Sequence, residues 1–381
     1  MVSEPTALDA AGPSTTCTAN PDDCSGAGLL PSLLLIGTRK AGTTALSNLL
    51  REHPAIQMPA CEAMKRRASA VGAMSRLRAR ERFTSAAPAG MCVWDKEVRY
   101  FSRGISRGLD LCWYRSLYQC KADETGSEPA RGVTPRVGFD GSPDYFVLPE
   151  PVVRSMSQLL GPRARLIALL RNPADRFYSA FNMGMNEHLM NKRGAFASTA
   201  ASPPQVRYDE FAGSLDRYLL CAPDCPGEPG VVSMFFQYGL YARHLMPFVS
   251  HFGRKRLHVE KSEDYYASPW EVVSRVLRFA GLPVDASSAP GFEARVRGGS
   301  GLSDRARNRG KVWGGDGYAG ALAEAERRKL QAWYRPHNLE LYQMLQRDFG
   351  WENETVPSGA AAPHHTRVEG VVVKRRLRPE L

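Results

Sequence analysis

Long hydrophobic runs are scarce in this chain of 381 residues. The longest apolar stretch near the start, Leu29–Ile36, is broken by a proline and a serine. It is far shorter than the roughly 20 residues that a membrane-spanning helix needs. The N-terminal residues carry Glu4 and Asp9 where a signal peptide has basic residues, and they lack an apolar centre. The sequence therefore predicts no transmembrane helix and no secretory signal of a recognisable form.

Cysteine is also scarce, with eight residues, no CxxC pair and no His/Cys cluster at zinc-binding spacing. These absences exclude a disulfide-rich scaffold and a structural zinc site. The close pairs Cys112/Cys120 and Cys221/Cys225 can still bridge in an oxidising compartment. The alternative is that at least half of the cysteines are free thiols.

Acidic residues are in the minority, with 39 Asp and Glu against 50 Lys and Arg and a net charge of +11. This excess favours anionic partners, and phosphates, sulfated sugars, nucleic acid and acidic membranes all stay open. Hydrophobic residues make up 43% and charged residues 23%, as in soluble globular proteins. Collagen, coiled coils and wholesale disorder are excluded.

Composition divides the chain into a leader, one domain and a tail. Residues 1–30 lack periodicity and are rich in small residues and proline, which predicts a disordered leader. Residues 31–351 form the domain, and residues 352–381 a flexible basic tail. Within the domain, residues 61–90 are a basic insertion whose one aromatic residue, Phe83, offers little for base stacking. We interpret it as a solvated insertion and expect no nucleic-acid partner; an anion-binding patch is the alternative.

Short apolar runs alternate with helical patterns along the domain. Continuous apolar runs are typical of strands buried on both faces of a parallel sheet. The predicted fold is therefore α/β, a three-layer sandwich around a central parallel sheet with a P-loop-like strand-loop-helix at its start. The predicted strands are Leu33–Ile36, Val137–Phe139, Leu166–Leu170 and Arg256–Val259.

Helix signals follow these strands. Ser268, Pro269 and Glu271 have the residue types of a capping box, which predicts a helix that Gly281 ends. Two further helices are expected at about residues 321–333 and 338–347.

The first candidate site is the glycine-containing loop from Gly37 to Thr44, between a strand and a helix. Backbone N–H groups at such a turn and helix start can surround a phosphate, assisted by a lysine and hydroxyls. The loop is not a Walker A sequence, because Lys40 precedes the second glycine instead of following it. The candidate ligands are Arg39, Lys40, Ala41, Gly42, Thr43 and Thr44. For this loop alone, an ordinary glycine turn with a solvated lysine is the alternative.

The second candidate site is the segment from Arg171 to Ser179, also at the end of a buried strand. Both residues can converge on one phosphate, since Pro173 starts a helix beside the sheet edge. Two phosphate sites on one sheet suggest a nucleotide with phosphates at both ends. Arg176 is expected to form a structural salt bridge.

Four segments, GTRKAGTTAL, KEVRYF, SPDYF and RNPADRFYSAF, occur in this order. Together they resemble the sulfotransferases that use 3′-phosphoadenosine 5′-phosphosulfate (PAPS). The resemblance is greatest to the Golgi carbohydrate group typified by the heparan sulfate 3-O-sulfotransferases and the N-sulfotransferase domain. It runs from about Leu33 to Trp351.

The resemblance implies that PAPS is the donor and that a glycan or other small molecule provides a hydroxyl or amine. No metal is expected, because the loop carries no carboxylate to hold Mg²⁺ and Lys40 supplies the positive charge. Lys40 and its loop would bind the 5′-phosphosulfate, and Arg171 with Ser179 the 3′-phosphate. Lys40 would also act in catalysis by stabilising the leaving phosphate. The family implies the Golgi lumen, while the lack of a readable signal leaves the compartment unknown and the cytoplasm open.

Glu97, in the KEVRYF segment, matches the catalytic glutamate of the family and would be the general base. Without the resemblance, Glu97 reads as a surface carboxylate paired to Lys96 or Arg99.

The chain departs from the family pattern on the acceptor side. Arg99 replaces a histidine and Gly141 replaces a lysine, which puts the acceptor in doubt. Asp140 either supplies a second carboxylate to the acceptor or caps the turn that follows it. Arg309, Gly310 and Lys311 resemble the basic loop over the donor phosphate, without the cysteine pair that flanks it in the family.

The competing hypothesis is a P-loop NTPase or kinase that uses ATP and Mg²⁺. Such an enzyme needs Ser or Thr directly after the loop lysine to hold the metal, and it has no use for a 3′-phosphate site. The position of Lys40 and the second phosphate segment both speak against it.

Overall fold

The computed structural model describes residues 29–60, 96–118, 137–193, 215–216, 219–220, 235–284, 291–298 and 322–352. The predicted leader up to residue 28, the basic insertion 61–90 and the tail from residue 353 lie outside the described residues.

A parallel sheet of five strands forms the centre of the described structure, in the order β2-β3-β1-β4-β5. The predicted strands are all present, with bounds that differ by a residue or two. The two-residue edge strand β2 carries no pattern long enough to predict. The strands are β1 Leu33–Gly37, β2 Ile56–Gln57, β3 Val137–Asp140, β4 Arg165–Leu170 and β5 Leu257–Lys261.

Helices follow or connect these strands. They are α1 Thr43–Leu50, α2 Leu111–Ser116, α3 Glu150–Leu160, α4 Pro173–Arg193, α5 Tyr241–Phe252, α6 Ser262–Ala267, α7 Pro269–Ala280, α8 Phe292–Gly298 and α9 Glu324–Leu345. A π turn at Tyr100–Gly104 and a 3₁₀ turn at Pro143–Val147 lie beside the site.

The strands bury side chains on both faces of the sheet. In β1, Leu34 and Ile36 join a core formed with α3, α5 and α9. Leu33 and Leu35 point to the opposite core, formed with α1, α7 and α8. This alternation is the reason for the continuous apolar run, and it confirms the predicted three-layer α/β sandwich.

Two details of the predicted helices are wrong. The two helices expected near the end of the domain are one helix, α9, which continues through Pro336. Its buried face, including Leu330, Tyr334 and Leu341, spans the proline, so packing outweighs the hydrogen bond that proline removes. Helix α7 has the predicted bounds and ends at the left-handed Gly281, but Ser268 forms no side-chain capping bond.

Candidate active site

The predicted motifs follow adjacent strands, and they therefore lie together at the carboxyl-terminal end of the sheet. The Lys40 loop follows β1, the SPDYF segment follows β3 and the Arg171 segment follows β4. In parallel sheets, ligands bind outside the carboxyl ends of the strands, where helices leave in opposite directions. The fold thus places all three segments where a ligand site is expected.

The first loop is shaped for an anion. Gly42 precedes α1 with a left-handed φ of 96°, and the first turn of α1 has neither a side-chain cap nor an acidic residue. The N–H groups of that turn are therefore available to a phosphate. Thr38 is fully buried in the loop, and its Oγ1 has no hydrogen-bond partner in the described part of the chain. An orphaned hydroxyl and open helix N–H groups fit the phosphosulfate end of PAPS.

Lys40 has a left-handed backbone with φ of 72°, an uncommon conformation for a residue with a side chain. Its ammonium group approaches the sulfur of Met183 on α4 at 3.6 Å, so it points across the loop towards the second motif. Arg39 and Thr44 are partly exposed, and Thr43 is buried at the start of α1.

The second motif lies directly against the first. A guanidinium nitrogen of Arg171 donates to the main-chain carbonyl of Lys40 over 3.3 Å. Ser179 is buried on α4, the helix that starts two residues after Arg171. The two predicted phosphate segments therefore meet in the folded chain.

Arg176 is not part of the contact between the two predicted phosphate segments. It is fully buried and donates to the main-chain carbonyl of Phe235. Its Nε and Nη1 have no hydrogen-bond partner among the described residues, so the expected salt bridge is not found there.

Glu97 lies between two cations. One carboxylate oxygen accepts from Lys96 at 2.9 Å and the other from Arg99 at 2.7 Å. Both pairings suggested by the sequence exist, but the group is only 6% exposed, so it is not a surface carboxylate. Burial lowers the pKa of Lys96, and the charge of Glu97 opposes that shift.

Arg99 connects Glu97 to a residue that the sequence reasoning missed. Its Nε lies 3.3 Å from a carboxylate oxygen of Asp144, in the 3₁₀ turn after β3. The backbone of Arg99 is left-handed with φ of 60°, and its N–H donates to the hydroxyl of Ser142. The position of Asp144 directly after Pro143, near the carboxyl end of a strand, was the available signal.

Asp140 is fully buried and is hydrogen-bonded inside the core. Its carboxylate accepts hydrogen bonds from Ser142 at 2.6 Å, Tyr114 at 2.7 Å and Tyr145 at 2.8 Å. Burial raises the pKa of Asp140 to about 6, and these three bonds oppose the shift. The fully buried carboxylate favours the structural alternative, in which Asp140 fixes the turn after β3.

Close packing connects the Glu97 side of the site to the first loop. A Cβ on Gly37 would lie only 2.5 Å from the Cβ of Phe146, so the chain needs glycine where β1 ends. Burial raises the pKa of Tyr238, while Arg39 of the loop lowers it and Asp144 raises it. Tyr238 is thus within electrostatic range of both segments.

Arg309, Gly310 and Lys311 lie outside the described residues. Within the described ranges, no group of three or more His, Cys, Asp or Glu side chains is arranged to hold a metal ion. Among the helices described, none has the length and apolar character needed to cross a membrane.

Cys112 is disulfide-bonded, and every other cysteine lies outside the described part of the chain.

This geometry brings two candidate anion-binding segments together at the carboxyl ends of parallel strands, in a chain that also holds the buried carboxylate of Glu97. The chain belongs to the sulfotransferase domain family, whose profile matches residues 30–291.

Individual relatives are similar over most of the chain. It is 27% identical over 334 residues to mouse (Mus musculus) heparan sulfate glucosamine 3-O-sulfotransferase 3B1, covering 86% of this chain and 67% of that one. It is 24% identical over 324 residues to the bifunctional heparan sulfate N-deacetylase/N-sulfotransferase of Drosophila melanogaster, covering 84% of this chain and 26% of that one. A solved sulfotransferase from Alicyclobacillus acidocaldarius covers 85% of this chain and 99% of its own, at 19% identity and a TM-score of 0.47.

Proposed function

We propose that this protein transfers a sulfuryl group from PAPS to a hydroxyl or amine of a glycan. The observation that carries the proposal is the contact between Arg171 and the carbonyl of Lys40, because it joins the two segments proposed to bind anions into one site. A nucleotide with a phosphate group at each end is the ligand such a site would select.

In this proposal the chain holds PAPS at both ends. The loop from Arg39 to Thr44 receives the 5′-phosphosulfate on its N–H groups, its hydroxyls and the Lys40 ammonium. Arg171 and Ser179 receive the 3′-phosphate. Arg309, Gly310 and Lys311 are proposed to cover the donor, on the strength of the sequence resemblance alone.

Transfer breaks the bond between sulfur and the bridging oxygen of PAPS and forms a bond from sulfur to the acceptor oxygen or nitrogen. Negative charge develops on the leaving phosphate, and Lys40 stabilises it there. The acceptor proton passes to Glu97 as the new bond forms. The products are the sulfated acceptor and adenosine 3′,5′-bisphosphate.

Arg99 has an indirect role in this proposal. It fixes the Glu97 carboxylate from one side while Lys96 fixes it from the other, so the base keeps one orientation. The sequence predicts that Arg99 contacts the acceptor. Its side chain is only 9% exposed, so little of its surface is available for such a contact.

A polyanionic glycan is the acceptor we favour. The names of two relatives specify heparan sulfate, and the net charge of +11 suits sulfated or uronic-acid sugars. Arg39 and the exposed Arg103 both lower the pKa of Tyr238, so positive charges lie near this side of the proposed site. The disulfide at Cys112 supports an oxidising compartment such as the Golgi lumen.

Incubation with ³⁵S-labelled PAPS and a panel of acceptors tests the proposal. Label should pass to desulfated or partly sulfated heparan-type glycans, and not to phenols or lipid alcohols. Lys40→Ala provides the inactive control. Transfer of ³²P from γ-labelled ATP in the presence of Mg²⁺, without any sulfuryl transfer, would favour the kinase hypothesis instead.

A further inference from the structure

The first two residues of α6 each contact a different phosphate segment. This helix follows β5, and β5 lies beside β4 at the edge of the sheet. The Ser262 hydroxyl donates to the main-chain carbonyl of Ala41 at 2.7 Å. The Glu263 carboxylate accepts the main-chain N–H of Asn172 at 2.8 Å. Adjacent side chains on one short helix therefore hold both segments.

The contact from Ser262 orients the first loop. In a trans peptide the C=O and the N–H point in opposite directions. Holding the Ala41 carbonyl on Ser262 therefore turns the N–H of Gly42 to the other side, where α1 begins. Ser262 is 1% exposed, so this bond is formed away from competing water.

The contact from Glu263 fixes the second segment at its backbone. The peptide between Arg171 and Asn172 is held at both polar atoms, because Tyr241 donates to the Arg171 carbonyl at 2.6 Å and Glu263 accepts the Asn172 N–H. The Arg171 side chain leaves the backbone at this fixed peptide. Its direction thus depends on Glu263.

We infer that Ser262 and Glu263 are positioning residues that set the spacing between the two phosphate subsites. Glu263 supports binding at the 3′-phosphate end through Arg171, and Ser262 supports binding at the 5′ end through Ala41. Neither residue touches the reacting atoms. This inference rests on the proposed function, since it assigns one phosphate of the donor to each segment.

Binding of three different nucleotides distinguishes the two phosphate subsites. Adenosine 3′,5′-bisphosphate occupies both subsites, adenosine 5′-phosphate only the first, and adenosine 3′-phosphate only the second. Dissociation constants are measured by calorimetry on the full chain, with thermal unfolding of each variant recorded in parallel.

Replacing Glu263 by Ala should weaken the bisphosphate and the 3′-phosphate about 10-fold, the worth of one buried hydrogen bond to a charged group, and leave the 5′-phosphate unchanged. The conservative change Glu263→Gln keeps an oxygen for the Asn172 N–H and should restore most of the affinity. Asp264→Ala is the matched control, because this neighbouring carboxylate pairs with Arg347 and not with the loops.

Replacing Ser262 by Ala should weaken the bisphosphate and the 5′-phosphate about 5-fold and spare the 3′-phosphate. Ser274→Ala is its control, since Ser274 is an equally buried helical serine whose hydroxyl has no partner in the described residues.

The outcomes separate this inference from the proposed function. Should the wild type bind the bisphosphate no better than the 5′-phosphate, the proposed 3′-phosphate site is lost. Should the wild type discriminate while Glu263→Ala keeps the full preference, the positioning role is overturned and the donor site stands. Equal weakening of all three nucleotides by Glu263→Ala would also overturn it, because that pattern reports a general structural defect.

Discussion

The guanidinium of Arg99 donates to a carboxylate oxygen of Glu97 over 2.7 Å, and both side chains are less than a tenth exposed. A buried ion pair is screened little by water. Removing one partner therefore leaves an unpaired buried charge, which destabilises the fold. The pair fixes the carboxylate that we propose as the base. Lys96 holds the other oxygen of Glu97 at 2.9 Å, so the carboxylate is fixed from both sides.

Replacement of Arg99 by Met is expected to destabilise the fold, because Asp144 and Glu97 then lose a buried partner. The free energy of unfolding in urea should fall by about 3 kcal/mol. Arg297→Met is the control, since Arg297 is 54% exposed in its pair with Glu293 and should change stability by less than about 0.5 kcal/mol. Equal effects of the two changes would show that the Arg99 pair contributes no more than a surface ion pair.

The free energy of unfolding should depend on pH through the titration of Asp140. Burial raises the pKa of Asp140 from 3.8 to about 6. Since the folded chain holds this proton more tightly, the contribution favours folding below about pH 4 and is lost as the pH rises through about 6.

The comparison with Asp140→Asn isolates this contribution. Between about pH 4 and pH 7, the free energy of unfolding of the wild type should fall relative to the variant by up to about 3 kcal/mol. Urea titrations at closely spaced pH values measure the difference. A difference that does not change with pH would contradict a raised pKa.

Donor binding should require the 3′-phosphate. Loss of a charge-assisted contact at Arg171 is worth about 2 to 4 kcal/mol, so adenosine 3′,5′-bisphosphate should bind about 30- to 1000-fold more tightly than adenosine 5′-phosphate. Arg171→Ala should remove most of this preference. Calorimetry decides, and equal affinities of the wild type for the two nucleotides would rule out the assignment of Arg171 and Ser179.

Sulfuryl transfer should survive removal of metal ions, because Lys40 provides positive charge at the leaving phosphate. Activity measured after treatment with EDTA is expected to stay close to the untreated value. Complete loss of activity, restored by Mg²⁺, would instead support the kinase alternative.

The sequence predicts four of the five strands, and it predicts where the two candidate phosphate segments lie, because each depends on local pattern. A continuous apolar run followed by a glycine loop or by Asn-Pro is enough to place Lys40 and Arg171 at the ends of strands. The helix through Pro336 could not be predicted, since the local signal of proline is overruled by burial of residues on both sides.

The supporting contacts of the site depend on strand order, which local pattern does not contain. Ser262 and Glu263 visibly follow a strand, but only the adjacency of β5 to β4 brings them against the loops at Ala41 and Asn172. The pairing of Arg99 with Asp144 likewise joins two residues that are separated in the sequence by α2 and β3. No local motif contains this contact.

The most direct test separates the proposed roles of Glu97 in catalysis and of Lys40 in both donor binding and catalysis. Donor affinity and single-turnover sulfuryl transfer are measured on the same preparations of wild type, Glu97→Gln and Lys40→Ala. If Glu97 is the base for the acceptor, Glu97→Gln keeps near-normal affinity for adenosine 3′,5′-bisphosphate while transfer slows by roughly 10²- to 10⁴-fold. Lys40→Ala should reduce both quantities, because Lys40 binds the donor and stabilises the leaving phosphate. Near-normal transfer by Glu97→Gln would contradict the account, since Glu97 would then be only the centre of a buried ion pair.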